Sequence, residues 1–256
     1  MKTTLKTALT AALLLLPLTA FGAEVAGAKN KTLLDTYKEG GMVMHFLLLF
    51  SVAMVWLIID IWMRTSKKNM TPSADTETAQ ELFRAGDYVG AYQAMKAGNS
   101  PYCEVVRSSL GSIGYGKDAT EEALYATVDK INSTLQTRIN YLSVIGVCAP
   151  MVGLLGTVAG MKGAFGALGT TGADVGALAG HIGEVLVATA TGLFVAIPAF
   201  GSFYFLKNKL QGSIHHLQDE TERLFRNAPY EYLQSADVGQ EETYAALPNW
   251  IEAPEG

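Results

Sequence analysis

Charged residues are scarce in this chain: 17% of its 256 positions are Asp, Glu, Lys or Arg, against about a quarter in soluble globular proteins. With 49% hydrophobic residues and 26 glycines, the scarcity points to a membrane protein with modest water-facing parts. An excess of positive charge is also missing. The formal net charge of −5 argues against nucleic acid as the main partner, because phosphate backbones select basic faces. Cysteine is nearly absent: Cys103 and Cys148 lack the short spacing of a metal or redox pair, and Cys148 lies in an apolar run. Both read as small apolar fillers, so neither a disulfide nor a metal site is expected. There is no glycine-rich phosphate loop ending in lysine, no HExxH and no GxSxG. The glycine-rich stretch from Gly163 to Gly180 has no preceding strand and reads as a tight turn between helices. His215 and His216 are adjacent, so on a helix they diverge, as surface residues do. No catalytic residue, enzyme activity or cofactor is expected.

What the chain does have is long apolar segments. Lys2 and Lys6 precede a greasy core from Ala8 to Leu16, and Ala20-Phe21-Gly22-Ala23 supplies small residues at its end. That pattern predicts a signal peptide over 1–23, since the core is shorter than the roughly 20 residues a bilayer span needs. Cleavage near Gly22 or Ala23 would leave 24–41 as a periplasmic segment; an uncleaved anchor is the alternative. Three further segments are long enough to cross, at about 42–63, 139–165 and 175–206, with a periplasmic turn at 166–174. Arg64, Lys67 and Lys68 close the first, Lys130 and Arg138 precede the second, and Lys207 and Lys209 follow the third. The positive-inside rule then places the N-terminus outside and the C-terminus in the cytoplasm of a multi-pass protein of the bacterial inner membrane.

Residues 64–138 are expected to form a cytoplasmic helical domain. One helical pattern runs from Thr78 to Ala97, broken at Gly86-Asp87, where Asp87 is placed to cap a second helix. Another runs from Ala119 to Arg138 with Asp118 as its expected N-cap. Leu124, Val128, Ile131, Leu135 and Ile139 recur at helical spacing, a stripe that suits packing against neighbours. The third span should continue as a cytoplasmic helix over 207–238, through Ile214, Leu217 and Leu224, leaving 239–256 as a flexible, glutamate-rich tail. The expected fold class is therefore all-α: an integral membrane protein with three transmembrane helices, the last two extending into the cytoplasmic helical domain.

Small and polar residues mark one side of the later spans. At about 100° per residue, Gly146, Ala149, Pro150, Gly153, Gly156, Thr157, Gly160 and Ala164 gather on one face of the second, with Met151, Leu155 and Val158 opposite. Such a face means another helix lies close against it. On the third span Leu186, Leu193, Phe194 and Ile197 share an arc. His181, Glu184, Ala188, Thr189, Thr191, Gly192 and Ala196 take the rest, Glu184 nearly eclipsing Thr191 and standing about 140° from Thr189. Pro198 should kink this helix, or be tolerated where a neighbour satisfies the freed carbonyl.

Depth adds an inference. Thr157 lies 16 residues beyond Tyr141 and Thr189 lies 17 residues before Leu206, or about 24 and 26 Å from the inner boundary at 1.5 Å per residue. Two antiparallel helices thus bring two hydroxyls to one level, where they can donate to or accept from a partner carboxylate, or hold water. The competing reading is that each threonine bonds back to its own helix carbonyl.

The run from Gly153 to Met161 (GLLGTVAGM), the run from Glu184 to Leu193 (EVLVATATGL) and Ala196-Ile197-Pro198-Ala199 resemble the MotA/TolQ/ExbB proton-channel family over about Asn140 to Leu210. The three-span layout matches the ExbB/TolQ branch, and the signal-like start is more like ExbB members. The resemblance implies a homo-oligomer, a pentamer, around a central pore that holds the single membrane helices of an ExbD/TolR-like partner, usually in two copies. That partner carries the proton-binding aspartate, and a TonB-like or TolA-like transducer receives the work. It further implies that Thr157 and Thr189 line the proton path, that Glu184 is the family's membrane glutamate with Thr191 beside it, and that Gly153, Gly156, Gly160, Gly192 and Pro198 serve helix packing. Ala159, Lys162 and Gly180-His181 depart from the usual pattern, and His181 is a candidate for proton entry at the outer mouth. The function expected is a stator or channel subunit of a proton-driven motor energising outer-membrane transport. The alternatives are a TolQ-like or flagellar-like motor for envelope maintenance or motility, and a membrane scaffold or secondary transporter with a solute near Glu184.

Overall fold

A computed structural model describes residues 41–171, 175–234, 236, 238 and 239. The side chains of residues 41–42, 167–171, 175–179, 181 and 184 are not among those described. The signal peptide 1–23, nearly all of 24–41 and the tail from 240 onward lie outside the described residues. The described elements are helices: α1 (Gly41–Arg64), α2 (Lys67–Met70), α3 (Ser73–Ala85), α4 (Tyr88–Ala97), α5 (Pro101–Gly111), a 3-10 turn (Ile113–Tyr115), α6 (Lys117–Thr171) and α7 (Val175–Phe225). Three of them, α1, α6 and α7, are long and apolar enough to cross a membrane. The chain divides into two compact units, Met1–Ile61 with Thr137–Lys207 and Trp62–Gln136 with Asn208–Gly256.

The first unit is made of α1 to Ile61 and the adjoining parts of α6 and α7. In α1, Met44, Leu47, Met54 and Ile61 are buried, a stripe at spacings of three and seven that faces the neighbouring helices. Phe46, Leu49, Val52, Trp56 and Ile59 are more than half exposed on the opposite side, as suits contact with hydrocarbon. On α6 the same division leaves Met151, Leu154, Leu155 and Val158 exposed, and on α7 Leu186 and Ile197.

In the second unit, short helices pack on the remaining parts of α6 and α7. Gly86 ends α3 with φ of 74°, a left-handed conformation that costs glycine little. The Asp87 carboxylate then accepts the Gly90 N–H at 2.8 Å and starts α4. Ser100 does the same for α5, accepting the Cys103 N–H at 3.2 Å, with Pro101 in the first helical turn, where its missing N–H costs nothing. The core contains Tyr102, Val106, Leu110, Leu124, Leu210 and Leu217, each at most 2% exposed. Burial pushes the Tyr102 phenol well above its ordinary range. Lys209 and Ser213, one turn apart on α7, cap the end of α1. Lys209 Nζ donates to the Trp62 carbonyl at 3.1 Å and lies 3.7 Å from the centre of its ring, and the Ser213 hydroxyl donates to the Thr65 carbonyl at 2.8 Å.

Three expectations are corrected. Asp118 lies within the first turn of α6 rather than capping it, because the helix starts two residues earlier, at Lys117, after Gly116 at φ 100°. The turn expected at 166–174 is not found over 166–171, where α6 continues to Thr171; residues 172–174 lie outside the described ones. The helix expected over 207–238 stops at Phe225. Pro229 has no N–H and disfavours helical backbone before it, and the chain turns back through Ala228 and Tyr230 so that the Ala236 carbonyl meets Gly114.

Cys103 supplies a check on this core. Its thiol donates to Asp75 Oδ2 at 3.3 Å, and the Ser100 hydroxyl donates to the same oxygen at 2.6 Å. The residue is 1% exposed, and burial raises its pKa. A soluble maleimide is therefore expected to leave Cys103 unmodified in the native protein and to label it fully once denaturant is added. Rapid native labelling would show that α5 does not pack as described.

Candidate functional site

The site is the seam between α6 and α7 in the first unit. Ala149 and Gly153 on α6 face Ala188 and Gly192 on α7, and all four are buried. Glycine is required here by contact distance. A Cβ placed on Gly192 would stand 2.7 Å from the Ala149 carbonyl oxygen. One on Gly153 would stand 3.0 Å from the Ala188 carbonyl oxygen and 3.2 Å from the Thr189 Cα. At Gly156 it would meet Ala188 Cβ at 3.1 Å and Val43 Cγ1 of α1 at 3.2 Å, and at Gly160 it would collide with Val185. Small residues thus let two backbones approach and gain dispersion contacts that larger side chains would prevent. Pro198 is not part of this seam. It is half-buried between exposed Ile197 and buried Ala199, and α7 runs through it without ending.

These contacts fix an antiparallel register. From Gly160 to Gly146 is 14 residues of α6, and the facing position on α7 moves 15 residues, from Val185 to Phe200. Because Gly156 faces Ala188, Thr157 and Thr189 each stand one residue past that pair, about 3 Å apart in height. They also share a flank. On α6, Thr157 is about 40° to one side of the line through Gly153, while Gly156, which meets α1, is about 60° to the other. On α7, Thr189 is about 60° from the line through Gly192. Since the helices run in opposite directions, that rotation brings Thr189 to the Thr157 side. The two threonines occupy the flank opposite α1. Thr191, about 160° from Thr189 around α7, is not brought to them; it belongs with the α1 flank.

The threonines are half-buried, and each hydroxyl donates to its own helix. Thr157 bonds to the Leu154 carbonyl at 2.7 Å, Thr189 to Val185 at 3.4 Å and Thr191 to Val187 at 2.8 Å. A hydroxyl that donates locally keeps its lone pairs, so the layer presents acceptors. The Thr189 bond is long enough to be surrendered easily to a better acceptor. His181 and Glu184 stand on α7 about 12 and 7.5 Å along the axis from Thr189; their side chains lie outside those described. Among the described residues no cluster of three or more His, Cys, Asp or Glu is disposed to hold a metal.

One ion pair of this unit was not legible beforehand. Arg138 Nη1 lies 3.4 Å from Asp60 Oδ2 of α1, the Asp60 side chain being 17% exposed and that of Arg138 42%. The two residues are 78 positions apart, and neither apolar periodicity nor spacing marks such a pair. Only the packing of α1 on α6 does.

Comparison with known proteins agrees with this architecture. Residues 97–219 match the family described as the MotA/TolQ/ExbB proton channel family. Biopolymer transport protein ExbB of Xanthomonas campestris pv. campestris (strain B100) is 34% identical over 174 residues, 62% of this chain and 68% of the relative. ExbB of Neisseria gonorrhoeae is 37% identical over 147 residues, 55% of this chain and 65% of the relative. The Tol-Pal system protein TolQ of Pseudomonas aeruginosa is 27% identical over 183 residues, 64% of this chain and 74% of the relative.

Proposed function

The chain belongs to the MotA/TolQ/ExbB proton channel family, and from that premise we propose that it is the channel-forming stator subunit of an ExbB-type motor driven by the proton motive force. It is a membrane-embedded energising subunit of the ExbB/TolQ type, not an enzyme. In the proposed arrangement several copies, five by family resemblance, enclose the single membrane helix of an ExbD-like partner. A TonB-like protein receives the resulting movement for transport across the outer membrane. The N-terminal end of α1 and the connection between α6 and α7 face the periplasm, and the second unit and the C-terminus face the cytoplasm. The observation that carries the reading is the pair Thr157 and Thr189: two hydroxyls in one layer, on the flank that α1 leaves open.

The chemistry follows from that layer. An isolated ion in an apolar span is costly, so the seam conducts nothing alone. A partner carboxyl in its protonated form donates its O–H to a threonine oxygen whose lone pairs are open. Once it loses the proton to the inner side it needs donors instead, and a threonine that rotates away from its own carbonyl supplies one. Thr189 gives up least in doing so, at 3.4 Å. Each proton crossing is worth about 2.3 kcal/mol per 100 mV of potential, so a few protons per step supply mechanical work. Thr191 on the other flank, and Glu184 and His181 farther along α7 toward the outer end, are assigned to the proton path as its accessory groups. The higher identity to ExbB than to TolQ favours outer-membrane transport over envelope maintenance.

Purification with and without the candidate single-span partner, followed by imaging, tests the assembly. The expected result is a closed ring of this chain with the partner helix on its axis. A chain that stays monomeric and binds no axial helix would overturn the proposal.

A further inference from the structure

We propose that Asp60 is a positioning residue for the inner end of the ion path: it holds the Arg138 guanidinium against α1, away from the flank that carries Thr157 and Thr189. The inference rests on the channel reading above and adds to it a residue that neither apolar patterning nor the quoted motifs single out.

Gly156 meets Val43 of α1, and Arg138 meets Asp60 of α1. On α6 those two positions are 18 residues apart, on α1 17 residues, so the helices keep an even antiparallel register from one end to the other. Eighteen residues are five full turns, which puts Arg138 directly in line with Gly156 on the face of α6 turned to α1. The distance along the axis is about 27 Å, close to the thickness of the hydrocarbon core. The pair therefore stands at the inner border when the threonine layer stands toward the outer part of the span. At that border a proton leaving the partner carboxylate passes α6 at the level of Arg138. A guanidinium does not lose its charge in a protein, so its effect there depends on where it points and on what neutralises it. The Asp60 carboxylate, mostly buried, does both: it supplies the opposite charge at 3.4 Å and draws the long side chain sideways onto α1. Without it, a fixed positive charge on a flexible stem stands at the inner mouth, repelling the exiting proton and competing for the partner's carboxylate.

This role differs from a mere tie between helices, and paired substitutions tell the two apart. D60N, D60E, R138Q and D60N/R138Q are to be compared with the unmodified chain for energised uptake and for the amount of complex assembled with the partner. D60N is expected to lower uptake about ten-fold at unchanged assembly, the order of effect of one uncompensated charge between the dielectric limits of water and protein. D60E keeps uptake, R138Q stays near the unmodified level because the guanidinium that Asp60 holds is itself gone, and D60N/R138Q recovers to within about two-fold. The proposal is overturned if D60N retains full uptake, or if D60N/R138Q is as low as D60N at equal assembly. Should D60N fail to assemble, R138Q decides: near-normal uptake supports the positioning role, and a ten-fold loss shows that the tie itself matters and overturns it. T157V/T189V, run in parallel, reads the underlying channel assignment on its own.

Discussion

Replacing Thr157 and Thr189 together with valine is expected to abolish energised uptake while leaving the chain in the membrane in normal amount. Valine matches threonine in shape, so the substitution removes hydroxyls without opening a cavity. The structural loss is small for a definite reason: each hydroxyl bonds only a carbonyl of its own helix, and such a bond contributes on the order of 1 kcal/mol net. The functional loss is large because the proposed partner carboxylate, once charged, has to find donors in an apolar surrounding. Hydrogen bonds to a charged group contribute about 1.5–3 kcal/mol each, roughly ten-fold to more than a hundred-fold in the population of the productive state. The single variants should therefore each fall by ten-fold or more, with the double variant at background. Because Thr157 holds its local bond at 2.7 Å and Thr189 at 3.4 Å, Thr189 is the readier donor and T189V should be the more severe of the two. Uptake at full strength in the double variant, with the protein present, would remove Thr157 and Thr189 from the ion path and end the proposed mechanism.

The contrast between what the sequence foretold and what it did not follows from the range of the interactions involved. The three apolar helices and the all-α class were legible because hydrocarbon imposes length and composition on a helix regardless of its neighbours. The break at Gly86-Asp87 was equally legible, as a local matter of a left-handed glycine and a capping carboxylate. Helix α5 has only a local mark in the sequence, the start signal Ser100-Pro101. Its Tyr102, Val105, Val106 and Leu110 sit in a short helix within a polar stretch, and what holds them is the core of the second unit rather than a long apolar stripe. The flank shared by Thr157 and Thr189 needed more than depth. Their common level follows from counting residues, but their common side follows from the contacts of Gly153, Gly156 and Gly192, which set how the two helices are rotated. The resemblance groups Pro198 with the packing glycines, and about 120° of rotation around α7 separates it from Gly192. Asp60 and Arg138 lay beyond reach altogether, since a pair between helices exists only once their register is known.

Enlarging Gly192 is expected to disrupt the molecule itself, in contrast to the threonine variants. A side chain at this position meets the Ala149 carbonyl oxygen at 2.7 Å, the Gly153 Cα at 3.3 Å and the Ala149 carbonyl carbon at 3.4 Å. All three are backbone atoms, so no rotamer change relieves the contact, and α6 and α7 must separate. Overpacking of this kind costs about 1–3 kcal/mol and occasionally more, and separation forfeits dispersion along the whole seam, because contacts fall off steeply with a gap of half an ångström to one ångström. Gly192→Val should exceed the upper end of that range, and Gly192→Ala should lie within it. The measurements are the thermal midpoint of the detergent-solubilised protein and its yield in the membrane. Gly201 provides the matched control. It lies on the same helix, is exposed, and a Cβ there meets nothing within 4 Å. Alanine is favoured over glycine in a helix by roughly 1 kcal/mol, so Gly201→Ala should leave the midpoint unchanged or raise it. If Gly192→Val and Gly201→Ala behave alike, the close approach of α6 and α7 is not what holds this unit together. The shared threonine flank, which depends on that approach, would then lose its physical basis.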